Sequence, residues 1–376
     1  MLKLGAYNIH RDSLRLFWLI LLNNLRTKLF GVPKRKRKGL IAMAKEVLKE
    51  NSTKNLVFAG RGHFRLMWIS DFSVALKGLS KILPSAQIER ILQFVIDQSI
   101  KHGYVTTSFS FWRALDLPYS RGDSFPWLMY AVKQYTLLSK QRRFLRVNRD
   151  KLQQLLTSYQ KHFLSKNGLV KLTATGDWAD TIKRPSSTWN NLLSLYVAKN
   201  TQSLGLTSLI DWRVCQKAIL ATRFNKKFLT DYAGSTMPSV DAPILALYLG
   251  LFAKSVRGKL ANWLESQSDL LLASSPARAA VCDYPKNITP LGTRMFCFGY
   301  HSRAHWLHLG LMWANGLKSM NKDYKELKRS VEKSVKRYRN FVEVVDLKGN
   351  LFRKFLSSDH GFTMSAGQYL ELVTKK

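Results

Sequence analysis

Apolar residues along the chain recur mainly at the three- and four-residue spacing of α-helices, and few stretches alternate with the two-residue period of strands. This pattern predicts about a dozen helices, most of them joined in pairs by short turns. The predicted helices cover residues 13–29, 36–49, 71–82, 86–102, 124–139, 149–164, 188–203, 209–223, 241–253, 257–272, 303–319, 322–340 and 362–373. Shorter apolar segments predict small hairpins at 104–108, 169–174 and 341–355.

The connections between these helices alternate between short turns and longer loops rich in Gly, Trp, Thr and Asp. The longer loops cover residues 103–123, 166–187, 224–240, 282–302 and 341–361. Short turns favour antiparallel neighbours, so the longer loops gather at one end. The prediction is an all-α fold, an (α/α)6 toroid or six-hairpin barrel with small β hairpins on its rim. We expect residues 51–376 to form the barrel, with 1–50 as basic amphipathic helices packed on it or leading into it.

Composition supports a folded chain without a metal or disulfide framework. Of the 376 residues, 46% are hydrophobic and 12% aromatic, which excludes extensive disorder. Three cysteines are too few for a disulfide framework, and none has zinc-site spacing. Three histidines share one helical face without the glutamate of a zinc motif, so we expect wall or core residues: His301, His305 and His308. We expect no metal and no cofactor.

The charge balance is strongly basic. With 60 Lys and Arg against 24 Asp and Glu, the formal net charge is +36. Such a chain attracts polyanions such as nucleic acid, anionic lipid or acidic polysaccharide. The basic residues are spread along the whole sequence, with no recognition helix or RNA-binding aromatic signature. This argues against nucleic acid as the main partner.

Residues 14–30 hold an apolar run of about eight residues, which is broken by Asn23 and Asn24. Spanning a bilayer needs roughly 20 residues, and no secretory signal is apparent. With the basic run at 34–38, this segment is either a first helix packed on the domain or an amphipathic helix on an anionic membrane surface. We therefore expect a cytoplasmic protein, either free or associated with a membrane at its periphery.

Because carboxylates are scarce, those in loops rather than on charged helix faces are candidates for chemistry. They are Asp71, Asp123, Asp177, Asp180, Asp241 and Glu343. The surrounding segments, in chain order, are WISDF at 68–72, GDSFP at 122–126, DWAD at 177–180, WNNLL at 189–193, SVDAP at 239–243, GYHS at 299–302 and GFTMSAG at 361–367. Together, from about residue 60 to 373, they resemble the rim segments of six-hairpin glycosidases, which include trehalases, glucoamylases and glycan-processing glucosidases.

This resemblance implies an inverting glycoside hydrolase that cleaves an α-glucosidic or related oligosaccharide bond. In that family the Trp-x-Asp loop supplies the general acid, here Asp180, and the late segment makes Glu343 the candidate general base. Inversion needs two carboxyl groups roughly 6.5–9.5 Å apart with room for water. Burial beside aromatic side chains also suits a protonated acid, and Asp180 follows Trp178 closely.

Indole faces stack on sugar rings, and carboxylates bind sugar hydroxyls. The predicted substrate-binding residues are Trp68, Asp71, Asp123, Asp177, Trp178, Trp189, Asp241 and His301. Asp71, Asp123 and Asp241 stand at predicted helix starts, so each either binds sugar or caps its helix.

Two alternatives remain open at the level of the sequence. Toroids of this class also serve hydrolases and lyases of uronate-containing polysaccharides, which the +36 charge would suit. A non-catalytic basic toroid that binds glycan, a membrane surface or nucleic acid is the other.

Overall fold

The computed structural model describes residues 11–36, 39–110, 114–115, 122–272, 275–354 and 357–374. Its helices are α1 (Arg11–Phe30), α2 (Leu40–Asn51), α3 (Ile69–Leu79), α4 (Ser85–His102), α5 (Ser124–Ser139), α6 (Arg143–Phe163), α7 (Thr188–Asn200), α8 (Trp212–Arg223), α9 (Asp241–Tyr248), α10 (Lys254–Ser266), α11 (Ser268–Leu271), α12 (Leu291–Phe296), α13 (Leu307–Ser319), α14 (Lys325–Tyr338) and α15 (Thr363–Val373). A 3-10 turn covers Gln202–Leu204. The strands have two residues each: β1 (Met67–Trp68), β2 (Ser108–Phe109), β3 (Ala114–Leu115), β4 (His305–Trp306) and β5 (Val344–Val345).

Six helices form a closed inner ring. Each packs against its two neighbours in the order α3, α5, α7, α9, α13, α15 and back to α3. Inner helices are buried on nearly every side, and α9 buries all eight of its residues. The outer helices are amphipathic: α4 buries Ile88, Ile91, Leu92, Val95 and Ile96, one face of a helix. This arrangement confirms the predicted all-α (α/α)6 toroid.

The outer ring is completed by the N-terminal helix α2. Helices α6, α8, α10 and α14 each pack on the inner helix that precedes them, whereas α2 packs on α15, the last inner helix. Asn51 at the end of α2 donates a hydrogen bond to the Gly361 carbonyl (2.6 Å) and another to Thr363 (2.8 Å). The division predicted at residue 50 therefore cuts through a helix that belongs to the sixth hairpin.

Glycines let the first and last inner helices meet backbone to backbone. A Cβ atom on Gly78 of α3 would lie 2.2 Å from the carbonyl oxygen of Gly367 on α15. A Cβ atom on Gly367 would lie 2.6 Å from the Ala75 Cα atom. No side chain fits at either position, so the glycine that ends the GFTMSAG segment closes the ring.

Short strands lie at the end of the barrel where the inner helices begin. Strand β2 pairs antiparallel with β1 and β3, and β4 pairs antiparallel with β5. Small antiparallel hairpins thus occur on the rim, but only Ser108 of the predicted segment 104–108 is in a strand, because β2 forms its hairpin with β3 beyond that segment. In segment 341–355, β5 pairs with β4, and the local pairing is a single bridge between Val345 and Leu351. In segment 169–174 the pairing is a single antiparallel bridge between Leu164 and Val170.

Most predicted helices occur, and the differences lie at their ends. Helix α13 begins at Leu307, later than the predicted 303, because His305 and Trp306 pair as β4. Helix α3 begins at Ile69, so Asp71 lies in its first turn rather than before it. The short helix α12 lies in a predicted loop. Residues 37–38 of predicted helix 36–49, residues 111–113 and 116–121 of loop 103–123, residue 355 and residues 1–10 lie outside the described residues.

Candidate active site

Glu343 is buried on the rim, between α14 and β5. One carboxylate oxygen accepts a hydrogen bond from the Tyr300 hydroxyl (2.9 Å), and the other accepts one from the Asp359 N–H (3.1 Å). Backbone bonds hold Glu343 on both sides, because its N–H donates to the Asp359 carbonyl (3.0 Å) and its carbonyl accepts from the Leu307 N–H (3.3 Å). The start of α13 and the rim loop that contains Asp359 thus fix the position of this side chain.

Burial raises the pKa of Glu343 well above its ordinary value, and the nearby charges of Asp359 and Asp71 raise it further. The hydrogen bonds from the Asp359 N–H and from Tyr300 act in the opposite direction, since they stabilise the ionised form. A carboxylate with a raised pKa is a stronger base than an ordinary glutamate.

Asp180 approaches the same group of residues from the loop between α6 and α7. Its side chain is 30% exposed, and its Oδ1 atom lies 3.9 Å from His301 Nε2. The pKa of Tyr300 is raised well above its ordinary value by burial, then by the charges of Glu343 and Asp180. The two predicted catalytic carboxylates therefore lie near one tyrosine, although they are 163 positions apart in sequence, 343 minus 180.

Aromatic side chains form a wall beside these carboxylates. The partly exposed Trp178 indole meets His301, Trp306 and His308 edge to face, with ring centroids 5.2, 5.3 and 5.4 Å apart. His301 stacks on Trp306 at 4.9 Å with an angle of 9° between the ring planes. Its Nδ1 atom lies 2.7 Å from the Thr181 hydroxyl, which fixes the imidazole. A partly exposed indole held in this way is a platform for a sugar ring.

A buried arginine supports this wall from behind. The Arg184 guanidinium donates two hydrogen bonds to Asp177, at 3.0 and 2.8 Å, and one to Asp231, at 2.8 Å. It also lies 2.8 Å from Asp241, whose Oδ2 atom accepts the Trp178 indole N–H (2.6 Å). We call Arg184, Asp177, Asp231 and Asp241 the arginine cluster.

The arginine cluster changes the interpretation of two predicted residues. Asp177 and Asp241 are almost fully buried, and their oxygens already accept hydrogen bonds from Arg184, Trp178 and backbone or hydroxyl donors. This geometry favours a positioning role for both, through Trp178, over the predicted contact with substrate. Their oxygens are already occupied by these donors, so the contact of either carboxylate with sugar stays a prediction.

Three other predicted residues, Trp68, Asp71 and Trp189, have different surroundings. The charge of Asp71 raises the pKa of Glu343, so Asp71 lies near Glu343. Trp68 precedes α3 and is mostly buried, with Phe64 against it edge to face at 5.9 Å. Trp189 is buried between Trp127 and Trp178, where it supports the wall rather than forming its surface.

Asp123 lies at the start of α5 and is almost fully buried. Its charge acts on Tyr159 of the outer helix α6. It makes no side-chain capping hydrogen bond to α5. The predicted contact of Asp123 with sugar stays a prediction.

Asp359 is a site residue that the sequence interpretation missed. Its carboxylate accepts the Gly62 N–H (2.8 Å) and the Phe64 N–H (2.9 Å), and it is completely buried. A Cβ atom on Gly62 would lie 2.2 Å from this carboxylate, so only glycine fits there. Asp359 also raises the pKa of Glu343. It could have been found, because it is an acid in a rim loop two residues before the GFTMSAG segment begins.

His308, one of the three histidines expected to be wall or core residues, packs against Trp178 and Trp306 in the aromatic wall. Burial lowers its pKa to about 3, so the imidazole is neutral. Its Nδ1 atom has no hydrogen-bond partner among the described residues. His305 is different, since its ring nitrogen bonds to the Ser275 carbonyl. Within the described part of the chain, no group of three or more His, Cys, Asp or Glu side chains could hold a metal ion.

Comparison with known proteins bears on the fold. No protein-family model matches the chain, and no curated protein matches it significantly. Among solved structures, it is similar to a glycosidase, with 14% identity and a TM-score of 0.68 over 89% of this chain and 95% of that one.

Two further solved structures are similar over most of this chain. One is a GH63 mannosylglycerate hydrolase from Thermus thermophilus, with 13% identity and a TM-score of 0.63 over 88% of this chain and 99% of that one. The other is a rhamnosidase from Klebsiella oxytoca, with 11% identity and a TM-score of 0.63 over 90% of this chain and 64% of that one. At such identities the likeness shows a common fold, and it confirms at that level the predicted resemblance to six-hairpin glycosidases.

Proposed function

We propose that the protein is a glycoside hydrolase that cleaves an α-glucosidic or related oligosaccharide bond with inversion. Asp180 donates a proton to the leaving oxygen, and Glu343 activates the attacking water. The observation that carries this proposal is the position of Tyr300, which bonds to Glu343 and lies within the electrostatic range of Asp180. Two carboxyl groups at one site are what hydrolysis with inversion requires.

The environments of the two carboxylates support these roles. Asp180 is partly exposed beside His301, where it can reach a leaving group. Glu343 is buried, and its raised pKa makes it a strong base once it is ionised. The Trp178 indole lies against His301, and its N–H donates a hydrogen bond to Asp241 of the arginine cluster. The similar solved proteins are described as glycosidases of several substrates, including one with rhamnose bound and one in complex with glucose, which supports the reaction class.

The test measures the rate at which the wild-type chain and Asp180→Asn hydrolyse neutral α-glucosides and related aryl glycosides. We expect the variant to fold normally and to lose about two to four orders of magnitude in rate, the usual contribution of general acid catalysis. The matched control is Asp283→Asn, a partly exposed loop acid paired with Arg303, which should keep the wild-type rate. NMR of the first sugar released should show the opposite anomeric configuration to the substrate. Wild-type turnover by Asp180→Asn would contradict the proposed acid.

The charge of the chain supports a second candidate, hydrolysis or lyase cleavage of an acidic polysaccharide. A net charge of +36 attracts uronate-containing glycans. The same assay panel separates the two proposals when it includes uronate substrates. Activity on uronates, and none on neutral α-glucosides, would select the second.

A further inference from the structure

Helix α1 rests on the barrel through polar side chains. The three buried residues among its described side chains are Asn23, Asn24 and Thr27. The Asn23 amide lies 2.9 Å from His63 Nδ1, and the Asn24 amide oxygen accepts the Ser357 N–H (2.9 Å). Helices on protein surfaces ordinarily bury their apolar face and expose their polar one. Helix α1 does the reverse.

The opposite face of α1 is an exposed apolar stripe. At 100° per residue its members fall on one side of the helix, and Asn23, Asn24 and Thr27 on the other. The stripe consists of Trp18, Leu21, Leu22, Leu25 and Leu29, which are between 37% and 65% exposed. Single exposed hydrophobic residues are common, whereas a continuous apolar stripe indicates an interaction site.

Positive charge surrounds this stripe. Arg26 and Lys28 are exposed and flank it on its two sides, and Lys34 and Lys36 are exposed in the segment that follows. No Asp or Glu occurs from residue 13 to residue 45. Basic side chains at the edges of an apolar helix face suit a surface that is apolar below and negatively charged above.

We propose that α1 binds the surface of an anionic phospholipid bilayer and lies parallel to it. The apolar stripe would enter the boundary between headgroups and acyl chains, and the flanking cations would contact lipid phosphates. Crossing the bilayer is a different mode, and none of the described helices is both long and apolar enough for it. A second copy of the chain suits the stripe less well, because two strongly basic faces repel each other.

Binding through α1 would also determine where the candidate active site lies relative to the bilayer. Asn23 and Asn24 contact His63 and Ser357, which lie within a few residues of Gly62 and Asp359 on the rim. A chain bound through α1 would hold that part of the rim close to the lipid surface. The proposal itself rests on α1 alone and does not require the proposed hydrolase activity.

The experiment is cosedimentation of the full chain with vesicles of neutral phosphatidylcholine or of phosphatidylcholine with phosphatidylglycerol. We expect binding to the anionic vesicles and much weaker binding to the neutral ones. The double variant Leu22→Ser, Leu25→Ser should bind the anionic vesicles at least tenfold more weakly, because both side chains lose their apolar burial. Lys28→Glu should weaken binding about fivefold or more. The control is Leu209→Ser, which changes an exposed leucine (73% exposed) in the loop before α8, outside the stripe.

Three results would overturn the proposal. The first is wild-type binding that does not distinguish the two kinds of vesicle. The second is equal binding by the double variant and the wild type, which would mean that the spread positive charge alone attracts lipid. The third is concentration-dependent self-association, seen by light scattering without vesicles and abolished by the double variant, which would assign the stripe to a second copy. Unchanged thermal unfolding of each variant verifies that its fold is intact.

Discussion

Two groups of buried carboxylates lie on the same rim of the barrel, and their surroundings differ. In the arginine cluster, one guanidinium pairs with Asp177, Asp231 and Asp241 at 2.8 Å each. Around Glu343, the described hydrogen bonds to its carboxylate come from neutral groups, the Tyr300 hydroxyl and the Asp359 N–H. The first group is therefore compensated by a cation, whereas the second consists of acids held close together.

The difference separates a structural role from a chemical one. A buried cation favours the charged form of the acids with which it pairs, and the pairing fixes a loop. Buried acids beside other acids are less stable in their charged form, which is useful when one of them must accept a proton. Under the proposed function, Glu343 serves catalysis at a cost in stability, whereas Arg184 holds Trp178 and its loop in place.

The largest expected effect is that of Glu343→Gln. Because the pKa of Glu343 is raised in the folded chain, the stability it contributes is full at low pH and is lost as the pH rises through that pKa. The glutamine mimics the protonated form, so the variant should lose about a thousandfold or more in rate and yet be more stable than wild type at neutral and alkaline pH, by on the order of 1 kcal/mol or more. Urea unfolding at several pH values measures the second quantity.

The rate and the free energy of unfolding of Glu343→Gln both test this prediction. The stability difference should shrink as the pH falls, since both chains then carry a neutral group at position 343. A variant that is less stable than wild type at every pH would mean that the Glu343 carboxylate is a structural partner. In that case its environment would resemble the arginine cluster.

Arg184→Met should have the opposite profile. Removing the guanidinium leaves Asp177, Asp231 and Asp241 buried without their cation, which typically costs about 3–5 kcal/mol. We expect a large fall in the free energy of unfolding, measured by urea denaturation. The matched control is Arg303→Met, whose partner Asp283 lies on the surface and whose loss should cost roughly 1 kcal/mol or less.

A stability of Arg184→Met equal to that of the control would contradict this view of the cluster. The chain already limits repulsion there, because burial, opposed by Arg184 and reinforced by Asp241 and Asp177, raises the pKa of Asp231 to about 7. Asp231 can therefore carry a proton near neutral pH. Should the variant fail to fold, the double change Arg184→Met, Asp231→Asn should restore part of the stability.

A smaller effect is expected from Asp241→Asn, which keeps the shape of the side chain but removes the charge beside the Trp178 indole N–H. A less firmly oriented indole should bind sugar more weakly. We expect KM to rise about threefold to tenfold, with kcat changed less than KM. The control is Asp211→Ala, which removes the cap of α8 and should cost about 1 kcal/mol of stability without changing KM. Equal KM values for Asp241→Asn and wild type would mean that Asp241 does not affect sugar binding through the orientation of Trp178.

The sequence was informative about the ring and less so about the site. Helical periodicity and loop spacing are local properties, so they predicted the inner and outer helices. The pairing of α2 with α15 depends on residues more than 300 positions apart, such as Asn51 and Thr363, and no local pattern reports it. Likewise the resemblance assigned both acids of DWAD to the site, Asp180 as the general acid and Asp177 to substrate binding. It could not show that Asp177 is buried and paired with Arg184, whereas Asp180 is partly exposed.

The measurement that tests the central claim most directly is the pH dependence of kcat/KM, which reports the groups of the free enzyme that must be ionised. A general base must lose its proton, so activity should fall on the acidic side with a midpoint above the ordinary pKa of a glutamate. Tyr300→Phe removes a hydrogen bond that lowers the pKa of Glu343, so it should move this midpoint further toward alkaline pH. A midpoint in the ordinary range of a glutamate, or one that Tyr300→Phe leaves in place, would contradict the assignment of Glu343 as the base.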